Sequence, residues 1–348
     1  MKKVYVGMSG GVDSSLTAAL LVEAGYDVTG VYMKNWSKNL PGMNCPWARD
    51  LADAKRVAVK LGIDFKVFDF EKEYKDRVVD YMINEYKAGR TPNPDIMCNQ
   101  EVKFNLFLET ALKDGADLIA TGHYAKTKNG KLYLAEDTLK DQTYFLYRVT
   151  KEALDKTLFP LGEFTKDVVR EMAKERGLIT ASKKDSQGIC FVGEVGIREF
   201  LSNYVEPSLG DIVDKKTGKV LGKHDGAIFY TLGQRHGLDI GGGLPYYVSS
   251  KDMKKNIIYV TTNLNDDVFW KKEIEFNHLH QIDKESPFIN NKEYYVRVRH
   301  RAPLVKATFK QEDGKKLLIM DSPERAVMAG QSGVIYDDKE CLGGGIVV

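Results

Sequence analysis

The sequence predicts an α/β protein: a doubly wound parallel sheet in the first part of the chain, then a β-rich central module and a C-terminal β-barrel. Three observations carry this expectation. From residue 1 to about 125, short apolar runs alternate with stretches at helical spacing, the pattern of βα units. The first run, Val4-Tyr5-Val6-Gly7-Met8, opens directly into Ser9-Gly10-Gly11-Val12-Asp13-Ser14-Ser15, a glycine-containing turn where strand gives way to helix. Near Tyr204 the text changes to short β-prone runs separated by Gly, Asp, Asn and Pro, as in small sheets and barrels. The division expected is 1–203, 204–270 and 271–348.

Taken in order, Leu16, Ala19, Leu20 and Ala24 mark the first helix, and Val28-Thr29-Gly30-Val31-Tyr32-Met33 the second strand. An irregular stretch over 34–46 leads to a helix over 47–61, a third strand at 65–70 and a long amphipathic helix ending near Gly89. A further helix is expected from about Gln100 to Lys113, then a strand over 117–123 with a small polar turn at its carboxyl end. Asn129-Gly130 predicts a hairpin turn. Residues 150–202 read as mainly helical, and Ile228-Phe229-Tyr230, Ile257-Ile258-Tyr259-Val260, residues 294–298 and Ala307-Thr308-Phe309 as later strands. In such a sheet ligands sit outside the carboxyl ends of the strands, and the motifs fall there.

The composition, 43% hydrophobic and 29% charged, is that of a soluble globular protein. No run is long enough to span a bilayer. The opening Met1-Lys2-Lys3 resembles a signal peptide, but the apolar run ends at Met8 and Asp13 soon follows, so a cytoplasmic protein with no membrane partner is expected. With 51 basic and 49 acidic residues, a net charge of +2, any polyanion must be met by local patches. Cys45, Cys98, Cys190 and Cys341 form no C-x-x-C pair, which argues against a zinc knuckle or a disulfide scaffold. Cys341, before a glycine-rich strand, reads as a packed thiol. His278 and His280 share an expected strand face but lack a third ligand.

The loop after the first strand predicts a phosphate site, since Gly10 and Gly11 let backbone N–H groups approach an anion at a helix N-terminus. It is not a Walker A, because every Gly-Lys pair is followed by a residue other than Ser or Thr. Nor is it a dinucleotide fingerprint, because no third glycine occurs before Gly25. It resembles the SGGxDS loop of the PP-loop ATP pyrophosphatases, of adenine nucleotide alpha hydrolase-like fold. That resemblance implies cleavage of ATP to AMP and pyrophosphate, with the aspartate, Asp13, helping to hold Mg²⁺.

Two further stretches end in cysteine. In Thr91-Pro92-Asn93-Pro94-Asp95-Ile96-Met97-Cys98 the prolines predict a stiff, extended arm with Cys98 just before a helix N-terminus, where a thiolate is favoured. In Lys183-Lys184-Asp185-Ser186-Gln187-Gly188-Ile189-Cys190 the lysines would lower a nearby thiol pKa. The cluster Arg297-x-Arg299-His300-Arg301, with Lys306 nearby, reads as a basic strand suited to phosphate.

SGGVDSS, TPNPDIMCN, ATGHYA, KDQTYFLY, DSQGICFVGE, TLGQRHGL and AGQSGVIYDDKECLGGGI, in this order over nearly the full length, resemble the tRNA-specific 2-thiouridylases. The resemblance implies ATP on Gly7, Met8, Ser9, Gly10, Gly11, Val12, Asp13 and Ser14, with adenosine against Met33 and Gly122. It implies Asn93, Pro94 and Asp95 at the target base, further tRNA contacts at His123, Lys140, Asp141, Gln142, Arg299, His300 and Gln331, Cys98 as nucleophile and Cys190 as persulfide carrier. His300 stands where the family often has tyrosine, and imidazole too can stack on a base.

The substrate implied is a tRNA with a wobble uridine, of the Lys, Glu or Gln type. The sulfur source implied is a persulfide-donating carrier or a cysteine desulfurase. The expected chemistry is adenylation of uridine O2, then sulfur transfer to C2 and a Cys98–Cys190 disulfide to be reduced. Asp95 stands either as a general base or as a carboxylate that orients the arm. A variant uses Asp95, Cys98 and Cys190 to hold an iron–sulfur cluster. The rivals are another PP-loop enzyme, such as an amide-forming ligase that needs neither cysteine, and a non-catalytic ATP- or tRNA-binding module.

Overall fold

The computed structural model describes residues 1–39, 41, 45–184, 196–241, 243–325 and 327–348. The first strand, β1 (Lys3–Gly7), is buried along nearly its whole length, as a central parallel strand must be. Along the chain follow β2 (Asp27–Lys34), β3 (Asp64–Asp69), β4 (Leu118–Ala120), the hairpin β5 (Lys126–Lys128) and β6 (Lys131–Tyr133), and β7 (Thr157–Leu158). Strands β3-β2-β1-β4-β7 form one parallel sheet in that order. The chain moves outward from β1 through β2 to β3, then crosses back to place β4 on the other side of β1. The switch point therefore lies between the carboxyl ends of β1 and β4.

Helix α1 (Val12–Glu23) springs from the turn after β1, and helix α2 (Trp47–Leu61) ends at Gly62 in the left-handed region, φ 66°. The long helix before Gly89 forms as Glu71–Tyr74, Lys75–Val79 and Asp80–Lys87, the middle piece wound as a π-turn. Between 150 and 202 the helices Lys151–Asp155, Lys166–Glu175 and Ile197–Leu201 appear as expected, but the short edge strand β7 lies among them.

The proline arm departs from expectation. Helix begins at Pro94, not near Gln100: Pro94–Met97 continues through a π-wound Cys98–Leu106 into Phe107–Lys113. Proline is compatible with the first helical position, where its missing N–H has no intrahelical partner anyway. Asn93 caps this start, its side chain accepting from the N–H groups of Asp95 (3.1 Å) and Ile96 (3.4 Å). Cys98 consequently sits past the first turn of a helix and is 1% exposed.

A second sheet, in the order β10-β11-β8-β9, contains β8 (Gly210–Asp214), β9 (Val220–His224), β10 (Tyr247–Asp252) and β11 (Ile257–Thr261). Here the run expected as a strand at Ile228-Phe229-Tyr230 is a 3₁₀ turn, Ala227–Phe229. Ala227, Ile228, Phe229 and Tyr230 are all buried, and a curled backbone can bury successive side chains where a half-exposed strand alternates them. A third sheet holds β12 (Trp270–Gln281), β13 (Glu293–Arg297), β14 (Val305–Glu312), β15 (Lys315–Arg325), β16 (Ser332–Asp337) and β17 (Glu340–Val347), closed into a six-stranded barrel by β12–β17 pairing. His278 and His280 do not share a regular strand face, because a bulge interrupts β12 there and His278 has φ 52°.

The hairpin predicted at Asn129-Gly130 forms but joins the barrel, β6 pairing with β17. Side chains extend this contact: Tyr144 Oη donates to the carbonyl of Ser332 (3.0 Å), and Arg297 Nη1 donates to Asp141 Oδ1 (2.9 Å). The arm docks too, with Thr91 N–H donating to the carbonyl of Ala329 (3.0 Å). Asn93→Ala removes the cap that starts the helix of Cys98 and should cost about 1 kcal/mol. Urea unfolding of the full chain measures it as a lower midpoint at unchanged slope.

Candidate functional site

The site grows from the turn after β1. Met8 N–H donates to the carbonyl of Val31 (2.7 Å), tying the start of the turn to β2. Ser14 Oγ accepts from Ser9 N–H (3.1 Å) and donates to the Gly11 carbonyl (3.2 Å), so the loop is braced by its own hydroxyl. Gly11 caps α1 without a side-chain acceptor, which leaves first-turn N–H groups for an anion. Gly10 has φ 75°, and a Cβ there would lie 2.3 Å from the Asp50 carbonyl oxygen. A Cβ on Gly122, just beyond β4, would lie 2.8 Å from Ser14 N and from Asp13 C. The loop is thus pressed between the start of α2 and the end of β4. Met33 overlies the end of β1, its Cε 2.9 Å from where a Cβ of Gly7 would stand.

A cavity of about 270 Å³ opens here, lined by Ser9, Gly11, Val12 and Asp13 of the loop, by Lys140, Gln142, Lys166, Lys183 and Lys184, and by His300 and Arg301 from the barrel. The switch point and the barrel therefore share one wall. Asp50 and Tyr124 line it as well.

Several predicted residues meet at this cavity, and others turn away from it. Of the KDQ stretch, Lys140 and Gln142 line the cavity, while the Asp141 side chain, 1% exposed, faces Arg297 and accepts from Thr143 Oγ1 (2.6 Å) and Ala135 N–H (2.9 Å). Burial raises the Asp141 carboxyl, and these three donors pull against it. His123 is buried against Phe104 and Phe159, with Nδ1 2.7 Å from Thr121 Oγ1, and desolvation holds its pKa well below the ordinary value. Arg297, expected on an exposed basic strand, is buried in its pair with Asp141. Arg299 and Arg301 are exposed and His300 half-buried. Gln331 is half-buried, next to the Ala329–Gly330 segment that meets the arm.

His300 packs on Phe145 with ring centroids 4.5 Å apart and the planes tilted by 42°, which takes its imidazole into an aromatic contact inside the protein. The same Phe145 accepts at its carbonyl from Asn99 Nδ2 (3.0 Å), the neighbour of Cys98. Cys98 thus connects to the cavity wall through Asn99, Phe145 and His300. Asn93 and Asp95 are half-buried and Pro94 is buried on the same helix start. Cys190 lies outside the described residues. Lys183 Nζ donates to the carbonyl of Gly10 (2.9 Å), Asp50 Oδ1 (2.8 Å) and Asp53 Oδ2 (2.7 Å), clamping the loop after β1 to α2.

The family profiles that match are a tRNA methyl transferase HUP domain over residues 2–194, a tRNA methyl transferase PRC-barrel domain over 198–262 and an aminomethyltransferase beta-barrel domain over 271–347. The tRNA-specific 2-thiouridylase MnmA 2 of Geobacillus kaustophilus (strain HTA426) is 46% identical, covering 99% of this chain and 94% of that one. The chain belongs to the tRNA-specific 2-thiouridylase family. The tRNA-specific 2-thiouridylase MnmA of Geobacillus thermodenitrificans (strain NG80-2) is equally 46% identical over the same shares. Among solved structures, a 4-thiouridine synthetase–RNA complex with bound ATP is 18% identical over 58% of this chain and 45% of that chain, at a TM-score of 0.36.

Sequence reasoning on this member of the 2-thiouridylase family missed Lys166, Tyr124, Asp50 and Phe145 as parts of the site. Lys166 opens an ordinary amphipathic helix with no motif around it, and only the fold brings it to Asp13. Tyr124 and Phe145 sit inside stretches quoted as family-like, so proximity to ATGHYA and KDQTYFLY was their available signal.

Mg²⁺ was expected at Asp13. That carboxylate is engaged by Lys166 Nζ at 2.7 and 2.8 Å and by Tyr124 Oη at 2.8 Å. Among the described residues no group of three or more His, Cys, Asp or Glu is placed to hold a metal. A protein-held Mg²⁺ at Asp13 does not fit this donor set, since an ammonium occupies the same oxygens.

Burial, with Arg301 and Arg297 near one and Arg148 near the other, pushes His300 and His280 down to about 4. Both are neutral in the fold at neutral pH, while the unfolded chain protonates them near 6.5. Their contribution to stability is complete above that value and is lost as pH falls toward 4. His300→Phe keeps the ring on Phe145 and removes the titration. Its melting temperature relative to the parent should therefore rise on acidification from pH 7 to 4.5, as read by scanning calorimetry.

Proposed function

We infer that this chain is an ATP-dependent tRNA-uridine 2-sulfurtransferase that adenylates the wobble uridine, position 34, at O2 and places sulfur at C2, giving 2-thiouridine, AMP and pyrophosphate. The observation that carries the reading is the shared cavity, where the phosphate loop meets Lys140 and Gln142 and the barrel residues His300 and Arg301. A nucleotide and an RNA backbone are both anions, and one cation-lined cleft between a nucleotide sheet and a barrel suits both. The profile descriptions speak of methyl transfer, whereas the full-length relatives are named as 2-thiouridylases. A pyrophosphate-type loop and two cysteine stretches suit the second chemistry, and methyl transfer needs neither.

In this reading the loop and α1 hold the polyphosphate while uridine O2 forms a bond to the α-phosphorus and pyrophosphate leaves with its electron pair. The adenylated C2 becomes electrophilic. The terminal sulfur of a Cys190 persulfide then attacks C2 and AMP departs. The Cys98 thiolate attacks the Cys190 sulfur, leaving a disulfide and the thiocarbonyl, so two electrons pass from the cysteines to the transferred sulfur. The alternative order has Cys98 release hydrosulfide first, with the same electron count. Asp95 stands three residues before Cys98, on the helix that Asn93 caps, where it takes the proton of the base or orients the arm.

The persulfide comes from a carrier protein or a cysteine desulfurase, and the substrate tRNAs are of the Lys, Glu or Gln type. Mg²⁺ arrives with ATP as part of the substrate. No helix among the described residues is long and apolar enough to cross a membrane, and we place the protein in the cytoplasm. We assign the pyrophosphatase part to 1–203, the central part to 204–270 and the barrel to 271–348. Met33 and Gly122 flank the adenosine, and Gln331, beside the docked arm, and Arg299 face the RNA.

The test is to incubate the protein with ATP, Mg²⁺, a persulfide donor, reductant and unmodified tRNA, then digest the RNA. 2-Thiouridine should appear, and its absence with a working control enzyme would sink the reading. Cys190→Ser should still release pyrophosphate with tRNA present yet yield no thiolated base, whereas a ligase would be indifferent to the change. Iron and sulfide analysis of anaerobically purified protein should find neither element, since finding both would favour a cluster on Asp95, Cys98 and Cys190.

A further inference from the structure

Lys166 is the least expected cation of the cavity. Its side chain is 10% exposed, and its Nζ bonds both oxygens of Asp13, at 2.7 and 2.8 Å. It also lies over the Tyr124 ring, 5.6 Å from the centroid, and Tyr124 Oη donates to the same carboxylate. The backbone is anchored as well, since Lys166 N–H donates to Asp137 Oδ2 (2.9 Å). An ammonium so deeply placed requires a fixed counter-charge, and Asp13 provides it from the first turn of α1. Lys166 and Asp13 both line the cavity beside Ser9 and Gly11. Asp50, the other carboxylate among the described residues of the wall, is likewise engaged, by Lys183 at 2.8 Å.

We propose that Asp13 is a positioning residue and that Lys166 is the cation it holds against the β,γ-pyrophosphate of ATP. This deepens the reading that the pocket splits ATP, and rests on it. As the bond between the α-phosphorus and the bridging oxygen breaks, its electron pair stays on pyrophosphate, whose charge grows at that oxygen. Lys166 meets that charge as a pre-placed ammonium and transfers no proton, and a point charge already in position needs no reorganisation during the step. The bond to Asp13 fixes where the ammonium stands. Asp13 therefore acts on phosphate through Lys166 and not by binding the metal that travels with ATP.

The experiment measures inorganic pyrophosphate binding to the full chain by calorimetry in EDTA, for the parent, Lys166→Met, Lys166→Arg, Asp13→Asn and the Lys166→Met/Asp13→Asn double variant. The parent should bind without metal, and Lys166→Met should weaken binding about tenfold or more, as expected for one lost charge-assisted contact. Asp13→Asn should weaken it as well, and the double variant no further than Lys166→Met, because the two residues act as one unit. Lys166→Arg, which keeps the charge, should recover part of the loss.

The inference is overturned if Lys166→Met binds pyrophosphate like the parent, if the parent binds it only with Mg²⁺, or if Asp13→Asn alters the Mg²⁺ dependence of pyrophosphate release and not metal-free binding. Should Lys166→Met not fold, as judged by circular dichroism, Asp13→Asn and Lys166→Arg decide it by the same criteria. A parent that thiolates tRNA beside an unaffected Lys166→Met removes this inference alone. A parent that binds pyrophosphate through Lys166 yet makes no 2-thiouridine removes the thiolation reading alone.

Discussion

The structure depends on a place where three backbone segments come closer than side chains allow. The turn after β1 lies against the start of α2 through Gly10 and against the end of β4 through Gly122, with a Cβ at either position coming within 2.8 Å of backbone atoms. Such contacts cannot be relieved by moving a rotamer, since what stands in the way is main chain. The order of the sheet follows from the same constraint. β1 and β4 must be neighbours for Gly122 to reach the first turn of α1, and that adjacency creates the switch point where the cavity opens.

The second requirement is that the barrel hold its place against this point, and here a buried ion pair carries weight. Asp141 and Arg297 are nearly sealed from solvent and 2.9 Å apart. Forming such a pair adds little net stability, but removing one partner strands a charge and typically costs about 3–5 kcal/mol. Its value lies in geometry. Asp141 sits between Lys140 and Gln142, and Arg297 precedes the turn that carries His300 and Arg301, so one bond fixes both sides of the cavity wall. The hairpin β5–β6 reinforces this by completing its pairing on β17 of the barrel. The loop side and the barrel side of the cavity thus share one support.

Much of this was legible in the residues. The strand–loop–helix reading of the first 23 positions, the hairpin at Asn129-Gly130 and the barrel all follow from local periodicity and turn chemistry, which the fold leaves intact. Local rules failed where two of them competed. Pro92 and Pro94 read as an extended arm, yet Pro94 occupies the one helical position that tolerates it once Asn93 supplies a cap. Ile228 and Phe229 have strand propensity, but burying four successive side chains required a turn. Arg297 and Arg299 look alike in sequence, and only the position of Asp141, 156 residues away, separates a buried structural cation from an exposed one. Lys166 belongs to the same class, since no local pattern distinguishes a lysine that faces water from one that faces Asp13.

A chain with a net charge of only +2 builds its anion site by sorting charge rather than by accumulating it. Among the described residues the cavity gathers Lys140, Lys166, Lys183, Lys184 and Arg301 against the carboxylates Asp13 and Asp50, and each of these is bound to a lysine. The carboxylates hold ammonium groups where solvation alone would draw them outward, and they lower the cost of keeping several cations close together. A polyphosphate that enters meets cations already fixed in direction, with part of their mutual repulsion cancelled by groups behind them. His300, kept neutral by burial, adds an aromatic ring packed on Phe145 to the wall without adding a further charge to that repulsion. Lysine–carboxylate pairs therefore make the cavity firm as well as positive, as a preorganised anion site must be.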